Sequence, residues 1–232
     1  MKIAIMQPYV FPYIGYFQLL KAVDKFIVYD DVTFIKGGWI NRNRILLNGQ
    51  PFLFTVPLTN VSSNNLIGET LISNKGQWNI KLLKTIEQAY KKAPHFEGVY
   101  HLIKKVISGE ETTIATLAVK SLTEIKEYLG IKTIIQPTSK VYNNKHFDAE
   151  SRLIDICKKE NADHYINPKG GTELYSKQNF EAQGIRLNFI QSKPVEYKQL
   201  NNAFVPWLSI IDVLMFNSPE QTVHFINQYE LV

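Results

Sequence analysis

Asp30 and Asp31 are the pair of residues whose type and spacing best suit proton transfer. They follow the apolar run 26–29, so we expect them at the end of a buried strand. Two neighbouring carboxylates in a partly dry pocket tend to raise one pKa, which favours a general base near neutral pH. Because successive strand residues point to opposite faces, we predict that Asp30 faces the substrate. Asp31 is then expected to hold the following loop, at Lys36 or Arg42. The alternative is that both carboxylates cap the following turn.

The segment after these carboxylates carries side chains that could bind an anion or a planar ring. They are Lys36, Trp39, Asn41, Arg42 and Asn43. A guanidinium group offers a bidentate fork to phosphate or carboxylate, and an amide offers a donor together with an acceptor. An indole ring can stack on a base or a sugar. We predict that these residues bind substrate. The alternative is a solvated hairpin with Ile40 and Ile45 on its buried side.

An aromatic turn at residues 7–16 follows the apolar run 3–5. Its candidate binding residues are Gln7, Tyr13, Gly15 and Tyr16. Gly15 suits a position where the backbone approaches a ligand or packs tightly.

A second candidate turn, 169–171, also follows an apolar run. Lys169 and the backbone N–H groups of the two glycines after it could hold an anion before a helix starting near Thr172. An ordinary turn is the alternative there.

The elements that must position these residues read as a parallel α/β sheet. Apolar runs at 3–5 and 26–29 flank a helical pattern, as in a strand–helix–strand unit. The runs 131–136 and 162–166, with an amphipathic helix at 149–158 between them, continue that alternation. Ligands of such sheets bind at the carboxyl ends of the strands. The residues predicted to line one cleft there are Gln7, Tyr13, Gly15, Asp30, Lys36, Asn41 and Arg42.

Two segments depart from this alternation. The turn signal Asn48-Gly49 joins strand-like runs and predicts a β-hairpin, and a further short strand is predicted at 67–72. Residues 77–130 have helical periodicity, interrupted at Pro94, and predict a helical insert.

The C-terminal part completes the predicted organisation. Residues 185–190 alternate like an edge strand. Ser209 is predicted to cap a final apolar helix, and a buried Asp212 near its start would need partners. We predict a single composite domain, with an N-terminal α/β half carrying the hairpin at 1–76, the helical insert at 77–130, and a C-terminal α/β half at 131–232.

Composition favours a small anionic ligand. The 232 residues contain 26 Lys and Arg against 21 Asp and Glu, a formal net charge of +5, which suits a nucleotide or nucleotide sugar. Nucleic acid is not expected, except as the donor of an aminoacyl group, because there is no long basic run. No apolar run of about 18 residues predicts a membrane span. The single cysteine, Cys157, and the lack of a secretory signal fit a cytoplasmic protein. The scattered histidines predict no metal site, and the sequence points to no particular cofactor.

The turn 11–16 resembles a degenerate nucleotidylyltransferase motif. In that superfamily the first strand runs through a proline-containing loop into His-x-Gly-His, and here Tyr13 and Tyr16 replace the histidines. The resemblance implies a Rossmann-like fold, but the lost imidazoles count against adenylyl transfer. A strand–helix corner packed with aromatic side chains is the alternative. We therefore predict an α/β, Rossmann-like (nucleotidylyltransferase-like) parallel sheet with a β-hairpin extension and a helical insert.

Four stretches together resemble the WbqC-like protein family. They are residues 7–16, 29–32, 39–43 and 204–212. This resemblance spans nearly the whole chain. Members of this family are typically encoded among bacterial genes for O-antigen and other surface polysaccharides such as lipopolysaccharide. The resemblance therefore implies a role in that pathway and leaves the reaction open.

Three functions are compatible with these observations. The favoured one is a transferase or ligase that modifies a nucleotide-linked amino sugar by acyl or aminoacyl transfer. Its attacking amine must lose a proton, which is the role assigned to Asp30. Arg42 and Lys169 are predicted to hold the diphosphate. The second function is a nucleotidyltransferase-like enzyme that activates a carboxylate or phosphate. The third is a non-catalytic partner that binds a nucleotide or sugar.

Overall fold

Five parallel strands and one antiparallel edge strand form the central sheet of the computed structural model, which describes residues 1–62, 64–73, 76–200 and 203–232. The strands are Lys2–Met6 (β1), Lys25–Val28 (β2), Arg42–Leu47 (β3), Gln50–Thr55 (β4), Ile134–Gln136 (β5), His164–Pro168 (β6), Arg186–Ser192 (β7) and Tyr229–Leu231 (β8). The sheet order is β5-β2-β1-β6-β7-β8, and β3 pairs with β4 in a separate hairpin. This architecture confirms the predicted Rossmann-like α/β fold.

The apolar triplet of β1 places this strand in the middle of the sheet. Ile3, Ala4 and Ile5 are buried, as expected where helices cover both faces. Ile5 pairs in register with Ile27 of β2. The chain runs outward from β1 through β2 to β5, and then returns to the other side of β1 with β6 and β7. The strand order therefore reverses between β1 and β6, which is where open α/β sheets bind ligands.

Helices cover the two faces of the sheet. They are Ile14–Lys21 (α1), Trp78–Tyr90 (α2), Phe96–Ile107 (α3), Ile114–Tyr128 (α4), Ala149–Lys159 (α5), Lys177–Glu181 (α6), Ile210–Phe216 (α7) and Pro219–Ile226 (α8). One face of the sheet packs on α5 and α6 through Leu153, Ile156 and Phe180. The opposite face shares a core with the other helices. Alternate residues of β1 thus contribute to different cores, as the period of a strand requires.

The predicted hairpin is present, whereas the prediction of a strand at 67–72 is wrong. Asn48 and Gly49 both have positive φ, 51° and 74°, which fits a two-residue turn that matches the twist of its strands. Ile67–Glu69 instead forms a single 3₁₀ turn, flanked by isolated bridges from Leu66 and Ile72. Short apolar runs of this kind do not distinguish a strand from a packed turn.

Two elements near the end of the chain, β7 and α7, differ in position from the prediction. Residues 186–190 of the predicted edge strand lie in β7, which is not an edge strand because β8 pairs with its outer side. Ser209 does cap α7, since its Oγ accepts the Ile211 N–H at 3.2 Å, but α8 follows and α7 is not the last helix. The three-residue strand β8 is too short to have given a clear periodic signal.

The helical segment 77–130 packs into the core of the sheet. Ile86 of α2 and Leu117 of α4 belong to the same buried cluster as Ala4 of β1 and Ile210 of α7. Thr113 and Thr116 form a capping box that starts α4. The division of the chain at residues 76 and 130 stays a prediction. Within the described ranges, no helix is long and apolar enough to cross a membrane.

Candidate functional site

The Phe11-Pro12 corner, just before α1, joins three distant segments. Phe11 has a left-handed backbone, with φ of 45°, which is uncommon for a bulky residue. Its carbonyl oxygen accepts hydrogen bonds from Asn43 Nδ2 and Ser209 Oγ, each at 2.7 Å. Its N–H donates to Ser121 Oγ at 3.3 Å. The strained corner is therefore held by buried side chains from β3, α4 and the start of α7.

Backbone hydrogen bonds extend this contact. The Ser209 N–H donates to the Arg44 carbonyl at 2.8 Å, and the Ile210 N–H donates to the Pro12 carbonyl at 2.8 Å. The Val10 N–H donates to the Ile40 carbonyl at 3.1 Å. We call this set of contacts among residues 10–12, 40–44 and 209–210 the corner junction. It brings together three of the four sequence stretches that carried the family resemblance.

A cavity of about 570 Å³ opens beside the corner junction, at the carboxyl edge of the sheet. It lies between the N-cap and first residues of α1 (13–15), the end of β7 and the residues after it (192–197), and the segment before α7 (204–208). This size is in the range of small-molecule sites. We name it the edge cavity.

Gly15 allows the floor of the edge cavity to close. A Cβ atom at this position would lie 2.3 Å from Tyr13 Cε2 and 2.9 Å from Ser192 Oγ. The Tyr13 ring thus lies directly against the helix backbone, and burial raises its pKa. Any larger residue at position 15 would displace the tyrosine or the end of β7.

The outer wall of the edge cavity is an irregular segment that carries polar and aromatic groups. Lys193 and Glu196 are exposed and line the cavity. Trp207 is 70% exposed and lies with its ring centroid 6.0 Å from that of Tyr13. The cavity therefore offers aromatic faces together with one cation and one carboxylate.

Asp212 holds the inner side of this wall. Its buried carboxylate accepts hydrogen bonds from Tyr197 Oη at 2.6 Å, Gln199 Nε2 at 2.7 Å and Tyr90 Oη at 2.8 Å. Burial raises the pKa of Asp212. Gln199 in turn accepts a hydrogen bond from the Val205 N–H at 2.7 Å. The prediction that a buried Asp212 has partners is confirmed, and these partners shape the wall.

The carboxylates of Asp30 and Asp31 are both buried, 5% and 2% exposed. Asp30 Oδ1 accepts hydrogen bonds from Thr138 Oγ1 at 2.7 Å and from the Ser139 N–H at 3.0 Å. Its other oxygen lies under Gly68, where an added Cβ would come within 2.6 Å. Asp30 therefore joins the segment after β2 to the loop after β5.

The prediction that Asp31 holds the loop of Lys36 or Arg42 is wrong. Asp31 accepts a hydrogen bond from Ser139 Oγ and pairs with Arg152 Nη2 at 2.8 Å. Arg42 Nε donates to the Gly38 carbonyl at 2.9 Å, and Arg42 Nη2 donates to the Gly37 carbonyl. A partner 121 residues away cannot be identified from sequence spacing.

The remaining residues of the predicted basic segment lie on and beside the hairpin. Trp39 is 40% exposed, and the guanidinium groups of Arg42 and Arg44 lie 5.7 and 4.9 Å from its ring centroid. Asn41 Nδ2 donates to the Val56 carbonyl at 2.8 Å, while Lys36 is exposed. Asn43 is buried in the corner junction.

The other predicted residues follow β1 and β6. Tyr16 is 3% exposed, and its Oη donates to the Gln7 carbonyl at 2.8 Å. Lys169 is exposed and its Nζ donates to Gln191 Oε1, on β7, at 2.7 Å. The helix predicted after this lysine begins later than expected, at Lys177, and a 3₁₀ turn occupies Lys169–Gly171.

The structure brings only part of the predicted cleft to the edge cavity. Of the seven residues predicted to share one cleft, Tyr13 and Gly15 line it. Lys193, Glu196 and Trp207 were not predicted. The position of Lys193 just after the strand run 185–190, and the Pro206-Trp207 pair before a capped helix, are the signals that could have identified them.

A larger cavity, of about 790 Å³, lies at the opposite, amino edge of the sheet. Two of its polar contacts are between lining residues, since the amino group of Met1 contacts Asp163 at 2.7 Å and His164 contacts Asn188 at 2.9 Å. We favour the edge cavity because it lies at the ends of the strands where loops carry function. Across the residues that the structure covers, no cluster of three or more His, Cys, Asp or Glu side chains could hold a metal ion.

Comparison with known proteins agrees with the sequence resemblance. The model of the WbqC-like protein family matches residues 7–224. The uncharacterized protein Rv1507c of Mycobacterium tuberculosis is 31% identical over 220 residues, which cover 93% of this chain and 93% of that protein. No solved structure matches. The matched region contains both the corner junction and the edge cavity, and the chain belongs to the WbqC-like protein family.

Proposed function

We propose that the edge cavity binds a nucleotide-linked amino sugar and that the protein transfers an acyl or aminoacyl group to the sugar amine. The observation that carries this proposal is the cavity itself, which combines aromatic faces, a lysine and a carboxylate at the carboxyl edge of the sheet. Surface-polysaccharide biosynthesis, the pathway implied by the sequence resemblance, supplies substrates of this kind.

Two lysines support the binding of a diphosphate. Lys193 lines the cavity directly after β7, and Lys169 contacts Gln191 on the same strand. Both ammonium groups are exposed, so their charge is available to a ligand. The guanidinium of Arg42, by contrast, donates to backbone carbonyls of its own turn. We therefore assign the diphosphate first to Lys193, which lines the cavity, and then to Lys169, which contacts β7 outside the lining. An Arg42→Lys variant tests the role predicted for Arg42.

Acyl transfer requires a base near the attacking amine. The amine nitrogen forms a bond to the acyl carbon, the thioester or ester bond of the donor breaks, and the amine proton passes to a carboxylate. Glu196 lines the cavity and is exposed, whereas both oxygens of Asp30 are enclosed by Thr138, Ser139 and Gly68. The geometry favours Glu196 as this base, with Asp30 as the competing candidate.

The test is an assay for an acylated sugar. UDP- and dTDP-linked amino sugars are incubated with acyl thioesters and aminoacyl esters, and the products are weighed by mass spectrometry. We expect a nucleotide sugar heavier by one acyl group. If nucleotide sugars bind but no donor yields a product, the proposed reaction is wrong and a non-catalytic binding protein is favoured.

Matched variants distinguish Glu196 from Asp30 as the catalytic base. Glu196→Gln should lower turnover on the order of 10²-fold with substrate binding kept. Glu173→Gln, at an exposed glutamate outside the cavity lining, is the control and should change neither. A 10²-fold loss in folded Asp30→Asn, with Glu196→Gln unaffected, would assign the base to Asp30 instead.

A further inference from the structure

Trp207 presents an unusually exposed aromatic ring. It is the most exposed large apolar side chain in the part of the chain that the structure describes, at 70%. Its backbone has a φ of 61°, a left-handed conformation that bulky residues rarely adopt. A residue that is both strained and exposed contributes little to the stability of the fold, so its position calls for a functional reason.

The backbone on both sides of Trp207 is fixed. Gln199 accepts a hydrogen bond from the Val205 N–H at 2.7 Å and donates to the Val205 carbonyl at 3.1 Å. Two residues after the tryptophan, Ser209 is bound into the corner junction and pairs with Tyr13 in an isolated bridge. The indole ring is therefore carried by a preorganised segment, which lowers the entropy cost of binding a ligand to it.

The ring lies beside groups that suit a nucleotide. Tyr13 lies 6.0 Å away, with an interplanar angle of 57°, so the two rings line the edge cavity without stacking on each other. Lys193 lines the same cavity. A nucleoside diphosphate combines the planar ring and the negative charge that these side chains would recognise, whereas a free sugar lacks the charge.

We infer that Trp207 is the stacking platform for the base of a nucleoside diphosphate, with the phosphates directed toward Lys193. This inference rests on the proposed function, because it assigns the nucleotide part of the substrate to the same cavity. Stacking tolerates any base, since every base has a π face. The platform therefore predicts similar binding of different nucleosides, with base selectivity left to other contacts.

The inference is tested by direct binding, without turnover. UDP, dTDP and pyrophosphate are titrated by calorimetry into the full-length chain. We expect both nucleotides to bind more tightly than pyrophosphate. Trp207→Ala should weaken UDP binding roughly tenfold to a hundredfold, whereas Trp207→Phe should retain much of the affinity. Phe147→Ala, at an aromatic ring that is 42% exposed and outside the cavity lining, is the matched control and should leave the affinity unchanged.

Fluorescence gives a second readout. Trp39→Phe combined with Trp78→Phe leaves Trp207 as the single tryptophan of the chain. Stacking of a base should quench its emission on addition of UDP, and pyrophosphate should not. Equal UDP affinity in Trp207→Ala and the unchanged protein overturns the inference. So does an oligomer that Trp207→Ala dissociates with UDP affinity unchanged, because the ring would then be a contact between copies.

Failure of this inference differs from failure of the proposed function. Base-dependent quenching without any acylated product supports the platform and contradicts the transferase. Acylated product formed at an unchanged KM by Trp207→Ala supports the transferase and contradicts the platform.

Discussion

At the scale of single residues, Asp212 shows how a carboxylate can be buried beside neutral partners. Three donors from two segments of the chain, Tyr90, Tyr197 and Gln199, satisfy its oxygens. Burial nevertheless disfavours the charged form, and so raises its pKa above the usual value. Its contacts therefore join α7 and α2 to the wall that carries Trp207.

Asp212→Asn should lower the free energy of unfolding by about 1–3 kcal/mol at acidic pH, because in either orientation the amide nitrogen would face a group that donates to Asp212, Gln199 Nε2 or Tyr90 Oη. In the unchanged protein, a raised folded pKa means that stability falls as pH rises from about 4 through that pKa. Asparagine has no such dependence. The difference in stability between the two proteins should therefore shrink as pH rises. Urea unfolding between pH 4 and 8 measures this; a difference that grows with pH would contradict the raised pKa.

At the scale of elements, the corner junction fixes how α1, the hairpin and α7 meet. Ser209 has two roles in it, since Oγ donates to the Phe11 carbonyl at 2.7 Å and caps α7 by accepting the Ile211 N–H. Asn43 from β3 binds the same carbonyl. The hairpin therefore positions the start of α1, and with it the Tyr13 side of the edge cavity.

Ser209→Ala should reduce stability by about 1–2 kcal/mol for the lost cap and should also weaken UDP binding, because the corner that carries Tyr13 loses a contact. Ser218→Ala is the matched control. Ser218 caps α8 by accepting the Gln221 N–H at 3.2 Å and has no contact with the corner junction. Its removal should cost a similar cap energy without changing UDP affinity. Equal UDP affinity in the two variants, measured by calorimetry, would show that the junction does not shape the cavity.

At the scale of the whole molecule, a buried ion pair links the segment after β2 to α5, far along the chain. Asp31, after β2, contacts Arg152 on α5, and both side chains are almost fully buried. The Arg152 guanidinium also lies 4.9 Å from the centroid of the Tyr29 ring and bonds Asn144. A buried charge whose partner is removed is costly, so this pair ties the N-terminal and C-terminal segments together.

Arg152→Met should destabilise the protein by about 3–5 kcal/mol, because it leaves the Asp31 carboxylate buried and unpaired. Adding Asp31→Asn to it should restore part of that loss, so the double variant should be less destabilised than the sum of the single ones. Lys105→Met, which removes the partly exposed pair of Lys105 and Glu124, should change thermal unfolding little. Additive effects of the two buried substitutions would show that Asp31 and Arg152 are not coupled.

The sequence by itself determined the local features of this protein. The buried triplet of β1, the Asn48-Gly49 turn, the helical run broken near Pro94 and the cap at Ser209 are all present in the structure. Each depends on the period of one element, or on the φ angles and hydrogen bonds of a few adjacent residues. The parallel α/β class followed from the order of such elements.

Only the tertiary structure decided which distant residues meet. The edge cavity combines residues 13–15 with 192–197 and 204–208, and the partner of Asp31 is 121 residues away. The strand β8 turned the predicted edge strand into an internal one. These contacts depend on how the whole core packs, which no local periodicity reports. Asp30 and Asp31 illustrate the reason. Two carboxylates after an apolar run indicate a strand end whether they face solvent or are buried. Here the loop after β5 encloses them, and only the packing of that loop decides this.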